Sequence, residues 1–161
     1  MKRCLVLLLI LVSSCSWFES KPKPTQLQVR EYQTRAYDTR NVKMVMKAVL
    51  NVLQDEGFIV KNADSDLGFI SATKETDLGS SILVWGGTET SESRYRKTSV
   101  IETTANISEF GDQCRVRVNF IKKILDNTGA TMDVDQITDA QFYQDFFSKV
   151  DKGLFLQKEK L

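Results

Sequence analysis

The presence of cysteine and the absence of histidine limit the chemistry that this sequence can perform. The chain of 161 residues holds three cysteines and no histidine. Without histidine there is no Ser-His or Cys-His nucleophile pair and no imidazole ligand for zinc. For an enzyme, only carboxylate chemistry would remain, such as paired acids for glycosidic cleavage, and nothing in the sequence singles out such a pair. We therefore expect no catalytic residue, no metal site and no cofactor, and we predict that the protein is not an enzyme.

The setting of Cys15 predicts a modification of its thiol. Two basic residues precede an apolar run over residues 5–12, and Ser13 and Ser14 separate this run from the cysteine. A basic start, a short apolar core and small residues before a cleavage site are typical of a secretory signal peptide. The apolar run is shorter than the ~20 residues that a helix needs to span a bilayer. A permanent transmembrane anchor is therefore not expected.

The stretch Val12-Ser13-Ser14-Cys15 resembles the lipobox of bacterial lipoprotein precursors. The resemblance implies cleavage after Ser14 and a thioether-linked diacylglycerol on Cys15, the first residue of the mature chain. Several acyl chains, at ~0.8 kcal/mol per buried methylene, would hold such a protein at a membrane. The residue after Cys15 is Ser16 and not aspartate. In the sorting rule of enterobacterial lipoproteins, this resembles a protein bound for the outer membrane, which implies the periplasmic side of that membrane. An ordinary cleaved signal peptide with a chance cysteine is the alternative.

The charge balance argues against a nucleic-acid partner. Loss of residues 1–14 removes two of the 22 basic residues and none of the 21 acidic ones, which leaves a net charge of −1. A balanced chain has no electrostatic attraction to a phosphate backbone. We divide the chain into a signal peptide at residues 1–14, a lipidated tether with both prolines at residues 15–25, and one domain at residues 26–161.

Hydrophobic periodicity predicts two helices in this domain, with one strand before the first helix and further strands between the two helices. Residues 41–56 carry apolar side chains at helical spacing, and a capping box of Thr138 with Gln141 opens a second helix that Gly153 would end. Leu154, Phe155 and Leu156 would then dock as a tail on the body. Strands are expected over residues 28–38, on both sides of a turn at 63–68, and over residues 99–108, 113–120 and 130–137.

These elements predict an α+β fold. An antiparallel sheet of about five strands would carry a long N-terminal helix and a C-terminal helix on one face, as a two-layer sandwich. In anchor, tether and element order the chain resembles small proteobacterial envelope lipoproteins. It is distantly similar to the helix-grip domains of the C lipoprotein of the outer-membrane β-barrel assembly machine. The resemblance implies a helix-grip arrangement and a role in the envelope.

Two surfaces are candidates for partner binding. Ile82, Leu83 and Trp85 belong to an apolar run inside a long connection, which would be either an exposed tip or a short segment packed on the core. Arg115 and Arg117 alternate with Cys114 and its apolar neighbours, so they lie on the polar face of their strand. That face would be either a docking surface or an ordinary solvated face. The same alternation predicts that Cys114 is an inert core residue.

An acidic pair at Asp64 and Asp66 invites comparison with a calcium loop. The EF-hand pattern needs a third oxygen ligand at position 68 and glycine at position 69, but the sequence has Gly68 and Phe69 there. A plain turn is the better interpretation.

The predicted function is therefore that of a non-catalytic binding or assembly module. The lipid on Cys15 would join it to the membrane, and its second partner would be another envelope protein. The alternative is a carrier of a small apolar ligand in a cavity lined by Phe58, Ile70, Val118, Phe120 and Phe146, which would need a cavity of roughly 300 Å³ or more.

Overall fold

The computed structural model describes residues 24–78 and 96–159. Within them the chain forms three helices and six strands. In chain order these elements are α1 (Gln26–Tyr32), β1 (Thr34–Tyr37), α2 (Val42–Asp55), β2 (Ile59–Asp64), β3 (Phe69–Asp77), β4 (Arg96–Phe110), β5 (Gln113–Asp126), β6 (Thr131–Gln136) and α3 (Ala140–Glu159).

All six strands belong to one antiparallel sheet with the order β1-β5-β4-β3-β2. Strand β6 also pairs with β5, along the same edge as β1 but further toward its C-terminal end. The α+β class and the antiparallel sheet are thus confirmed. The sheet has six strands where we expected about five, and the last expected strand, over residues 130–137, is present as β6.

The alternating residues of β4 and β5 place the core on one face of the sheet. In β5, Cys114, Val116 and Val118 are buried, and the residues between them are exposed or half-buried. Helices α2 and α3 pack over the buried face and share one hydrophobic cluster with it. The prediction that Cys114 faces the core is confirmed, since a period of two assigns each strand residue to a face.

Helix α2 carries the apolar stripe that the sequence predicts. Val45, Met46, Val49 and Leu53 are buried, and the side chain of Asn41 caps the first turn by accepting a hydrogen bond of 2.9 Å from the backbone of Met44. This helix is not the first in the chain, because the seven-residue α1 precedes it. The longest described helix is α3 with 20 residues. The expected long N-terminal helix is therefore not found at that place in the element order.

The strand predicted over residues 28–38 is wrong in its first half. Residues Gln26–Tyr32 form α1, and only Thr34–Tyr37 form a strand. Thr25 and Gln28 make a reciprocal capping box that fixes the first turn of α1. This capping, together with burial of Val29, outweighs the weak strand preference of the segment.

The second helix also departs from the prediction at both ends. The carboxylate of Asp139, rather than Thr138, accepts a hydrogen bond of 2.8 Å from the backbone of Gln141. Gly153 lies inside α3, which continues to Glu159. The glycine costs about 1 kcal/mol in a helix interior, and the helix persists through it because the next turn buries Leu154 on the core. Phe155 is 62% exposed, so the expected docking of the tail holds only for Leu154.

A buried polar cluster closes the gap between β1 and β6 on the edge of β5. The backbone oxygen of Gln33 accepts a hydrogen bond of 2.9 Å from Val118, and Ile137 donates one of 2.9 Å to the oxygen of Phe120. The side-chain amide of Gln33 donates to Asn119 at 3.1 Å and to Tyr143 at 3.2 Å. The backbone N–H of Val118 and the backbone oxygen of Phe120 are thus hydrogen-bonded although no continuous strand pairs with β5 there.

Candidate functional site

The face of the sheet opposite the helices is a candidate surface for binding. Both large helices pack on the other face, and α1 packs against α3 and β1. Among the described residues, no helix covers the side that carries Arg115 and Arg117. A sheet face without a covering layer is common in antiparallel sheets and is solvated unless a partner binds it.

The two arginines predicted from the sequence lie on this open face and are brought together with polar neighbours. Arg117 is opposite Asn106 of β4 and Thr34 of β1. Arg115 is opposite Ser108 and Ala36, one pleat further along. Directly opposite residues in neighbouring strands share a face of the sheet. We use the name basic patch for the exposed residues Arg115, Arg117, Asn106, Ser108 and Phe110.

Arg115 has a fixed orientation within the basic patch. Its guanidinium carbon lies 3.8 Å from the centre of the Phe110 ring, which is itself 59% exposed. Stacking on an aromatic face holds a guanidinium group while leaving its edge N–H groups available. Aromatic residues and arginines also dominate the binding energy of many protein interfaces.

The arginines of the patch are not neutralised within the part of the chain that the structure describes. No ion pair formed by residues 24–78 and 96–159 includes Arg115 or Arg117. Further along the same face, Lys123 and Glu102 form an ion pair of 2.7 Å. The charge of the open face therefore changes along β5, from positive at Arg115 and Arg117 to neutral at the pair of Lys123 and Glu102.

A pocket of about 180 Å³ lies on the helix-covered side of the sheet. Three of the five residues predicted to line a ligand cavity contribute to it, namely Phe58, Phe120 and Phe146. Ile70 and Val118 are instead fully buried in the core. The volume is below the roughly 300 Å³ of a typical small-molecule site, so it does not support a carrier of a ligand of that size.

A larger groove of about 420 Å³ is lined only by residues of α2 and α3, including Ala48, Asn51, Gly153 and Leu156. It is not a cavity between a helix and the sheet, which is what the carrier hypothesis requires.

The thiol of Cys114, on the buried face of β5, has a shifted pKa. Burial raises the pKa of the Cys114 thiol, and the negative charge of Glu109 adds to the effect. A raised pKa keeps the thiol protonated and weakly nucleophilic.

Asp64 accepts hydrogen bonds of 2.9 Å from the backbones of Asp66 and Leu67, as in a turn. Within residues 24–78 and 96–159, no group of three or more possible ligands is arranged to hold a metal.

Four predicted site residues lie outside the described residues: Cys15, Ile82, Leu83 and Trp85. None of the described helices is long and apolar enough to cross a membrane.

Sequence reasoning missed the charged rim of the pocket and the polar cluster around Gln33. The rim joins Glu56 after α2, Lys74 of β3 and Lys149 of α3, which lie far apart in the sequence. No local pattern signals such a meeting of three elements. For the polar cluster, the single cue was Tyr143 between Phe142 and Phe146 on the apolar stripe of α3.

Comparison with known proteins adds little to this description. No protein-family model matches the sequence, and no curated protein matches it. Among solved structures, the chain is similar to a DUF4468 family protein from Bacteroides ovatus, with 11% sequence identity and a TM-score of 0.40. The likeness covers 75% of this chain and 84% of that protein. A likeness at this level carries no argument about fold or function.

Proposed function

We propose that this protein is a lipid-anchored, non-catalytic binding module of the bacterial cell envelope. Its lipid would be attached at Cys15, at the end of the lipobox-like stretch, and its place would be the periplasmic side of the outer membrane. Its second partner is another envelope protein, and it binds no nucleic acid. The packing of α2 on one face of the sheet would correspond, in this proposal, to a helix-grip arrangement.

The observation that carries the proposal is the basic patch on a sheet face that no described helix covers. Arg115 is held by Phe110, and neither Arg115 nor Arg117 is paired with a carboxylate among the described residues. Hydroxyl and amide groups of Ser108 and Asn106 surround them. Such a surface complements an acidic or carboxylate-bearing region of a partner, and complementary charge raises the rate of encounter and the specificity.

A tether makes weak binding at such a surface effective. A lipid anchor confines the protein to one membrane, which raises its concentration relative to partners in the same membrane. An exposed patch of a few residues can then bind at useful occupancy without a large interface. Turnover is not required for this role.

Crosslinking in intact cells tests the binding surface. A photoreactive residue at Ser108 leaves both arginines in place, and a matched residue at the exposed Lys43 of α2 samples the helix layer. We expect a discrete envelope protein to be captured from Ser108 and not from Lys43. Equal capture from both positions, or capture of lipid alone, would contradict the proposal.

Metabolic labelling tests the anchor separately. With alkyne palmitate in the medium, the wild-type protein is expected to carry label and the Cys15→Ser variant to lose it. Equal labelling of the two proteins would contradict the anchor without bearing on the sheet face.

A further inference from the structure

The pocket beside Phe120 has an aromatic floor. The ring centre of Phe120 lies 5.0 Å from that of Phe142, 5.3 Å from that of Phe146 and 6.0 Å from that of Phe58. Ile101 completes the apolar lining. The rings meet edge to face or at a tilt, which is the favourable geometry for aromatic contacts. An apolar group placed here would contact ring faces and edges that already hold one another in position.

The size of the pocket limits its occupant to one side-chain-sized group. An engineered apolar cavity of about 150 Å³ is large enough to bind benzene. The volume of about 180 Å³ therefore accommodates a single phenyl group but not a typical drug-sized molecule. The remainder of any larger ligand must lie outside, across the rim.

The rim offers a cation at the mouth of the pocket. The ammonium group of Lys74 donates a hydrogen bond of 2.7 Å to the backbone oxygen of Glu56 and lies 5.8 Å from the centre of the Phe58 ring. An ammonium group has three donors, so this bond leaves capacity for an anionic group. Within residues 24–78 and 96–159, Lys74 forms no ion pair.

The rim also carries carboxylates. Glu56 is paired with Lys149, and this hydrogen bond raises the pKa of Lys149. Asp145 accepts one hydrogen bond of 2.8 Å from Gln141 and is otherwise exposed at the rim. A carboxylate offers about four lone-pair sites, so Asp145 can accept further N–H groups. A matching ligand therefore has both an anionic group and N–H donors beside its apolar group.

We propose that this pocket binds the end of a peptide whose C-terminal residue is aromatic. The ring occupies the space beside Phe120, the terminal carboxylate accepts from Lys74, and backbone N–H groups donate to the rim carboxylates. A free aryl acid has the ring and the carboxylate but lacks the N–H groups. The pocket is on the helix-covered side of the sheet, so the inference does not depend on the basic patch.

The test is a titration of the full-length protein, purified in detergent, with the tripeptide Gly-Gly-Phe. The backbone amide signal of Lys74 and the methyl signals of Ile101 are expected to shift in a saturable way, with a dissociation constant in the millimolar range. The amidated peptide lacks the terminal carboxylate and is expected to bind about tenfold more weakly, as is typical for loss of a hydrogen bond to a charged group. 3-Phenylpropionate is expected to bind more weakly than the free peptide.

Variants locate the carboxylate. Lys74→Met should weaken binding of Gly-Gly-Phe by about tenfold, whereas Lys61→Met, on the exposed edge strand β2, should leave it unchanged. The proposal is overturned if the peptide and its amide bind equally, if no pocket signal shifts, or if 3-phenylpropionate binds as tightly as the peptide. The comparison of peptide with amide needs no variant, so it stands even if Lys74→Met fails to fold. Failure of crosslinking at Ser108 would leave these outcomes unaffected.

Discussion

The side-chain amide of Gln33 donates a hydrogen bond of 3.2 Å to the hydroxyl of Tyr143, although the residues are 110 positions apart. Both side chains are buried. The hydroxyl of Tyr143 in turn donates 3.0 Å to the backbone oxygen of Ile137. One phenolic group therefore joins the end of α1, the segment after β6 and helix α3. This contact stabilises the point where the sheet edge passes from β1 to β6.

Removal of that hydroxyl should destabilise the fold. Tyr143→Phe leaves the amide of Gln33 and the oxygen of Ile137 each short of one partner, which is expected to lower the free energy of unfolding by about 1–3 kcal/mol. Tyr37→Phe is the matched control, because its buried hydroxyl has no well-formed hydrogen bond among the described residues, although it lies near the carboxylate of Asp151. Urea denaturation should show a smaller loss of stability for Tyr37→Phe than for Tyr143→Phe. Equal stability of Tyr143→Phe and wild type would contradict the role of the cluster.

The same tyrosine predicts a loss of stability at alkaline pH. Burial raises the pKa of Tyr143, so the folded state keeps its proton after the unfolded state has lost it, above about pH 10. The folded state then binds more protons, and stability falls as pH rises, by up to about 1.4 kcal/mol per pH unit. Below that pH the effect vanishes. Urea melts across this range should show a shallower alkaline decline for Tyr143→Phe; parallel declines would argue against the assignment.

Gly68 occupies a position that admits no other residue. Its φ is +60°, and a β-carbon built there would lie 1.9 Å from the backbone oxygen of Ile107. Gly111 has a similar φ of +64° but nothing within 4 Å. Gly111→Ala should therefore cost only the left-handed strain, about 1–2 kcal/mol. Gly68→Ala should cost about 4 kcal/mol or more, since backbone must move. Denaturation midpoints that coincide for the two variants would be inconsistent with this packing.

The thiol of Cys114 should be chemically silent in the folded protein. It is fully buried and its pKa is raised, so thiolate is scarce and shielded from reagents. In full-length protein with Cys4 and Cys15 changed to serine, a disulfide reagent at neutral pH is expected to label Cys114 only after urea is added. Rapid labelling without denaturant would show that β5 does not face the core as described.

Features that depend on neighbouring residues in the sequence could be predicted, and features that depend on contacts between distant residues could not. The alternation of Cys114, Val116 and Val118 with arginines is a local pattern, and it assigned the core face of β5 correctly. The helical stripe of α2 succeeded for the same reason. The prediction that Gly153 ends the last helix was wrong, because burial of Leu154 outweighs the local preference of glycine for a helix end. That burial is visible only in the folded chain.

The candidate sites divide in the same way. Alternation placed Arg115 and Arg117 on the polar face, and the structure adds their neighbours across the strands and the stacking on Phe110. The pocket rim could not be predicted, because Glu56 and Lys74 meet only through the β2–β3 hairpin and Lys149 arrives from the last helix. Spacing along the chain carries no information about such a meeting.

Charge reversal of the basic patch tests the central claim most directly. The measurement is the yield of the protein crosslinked from a photoreactive residue at Ser108, in cells that carry either the native arginines or Arg115→Glu with Arg117→Glu. Because the patch is proposed to bind an acidic surface, we predict at least a tenfold loss of the crosslinked product, with unchanged abundance and membrane attachment. Reversal of two exposed residues on the neighbouring helix layer, Lys43→Glu with Lys47→Glu, should leave the yield intact. An undiminished yield from the arginine double variant would contradict the account.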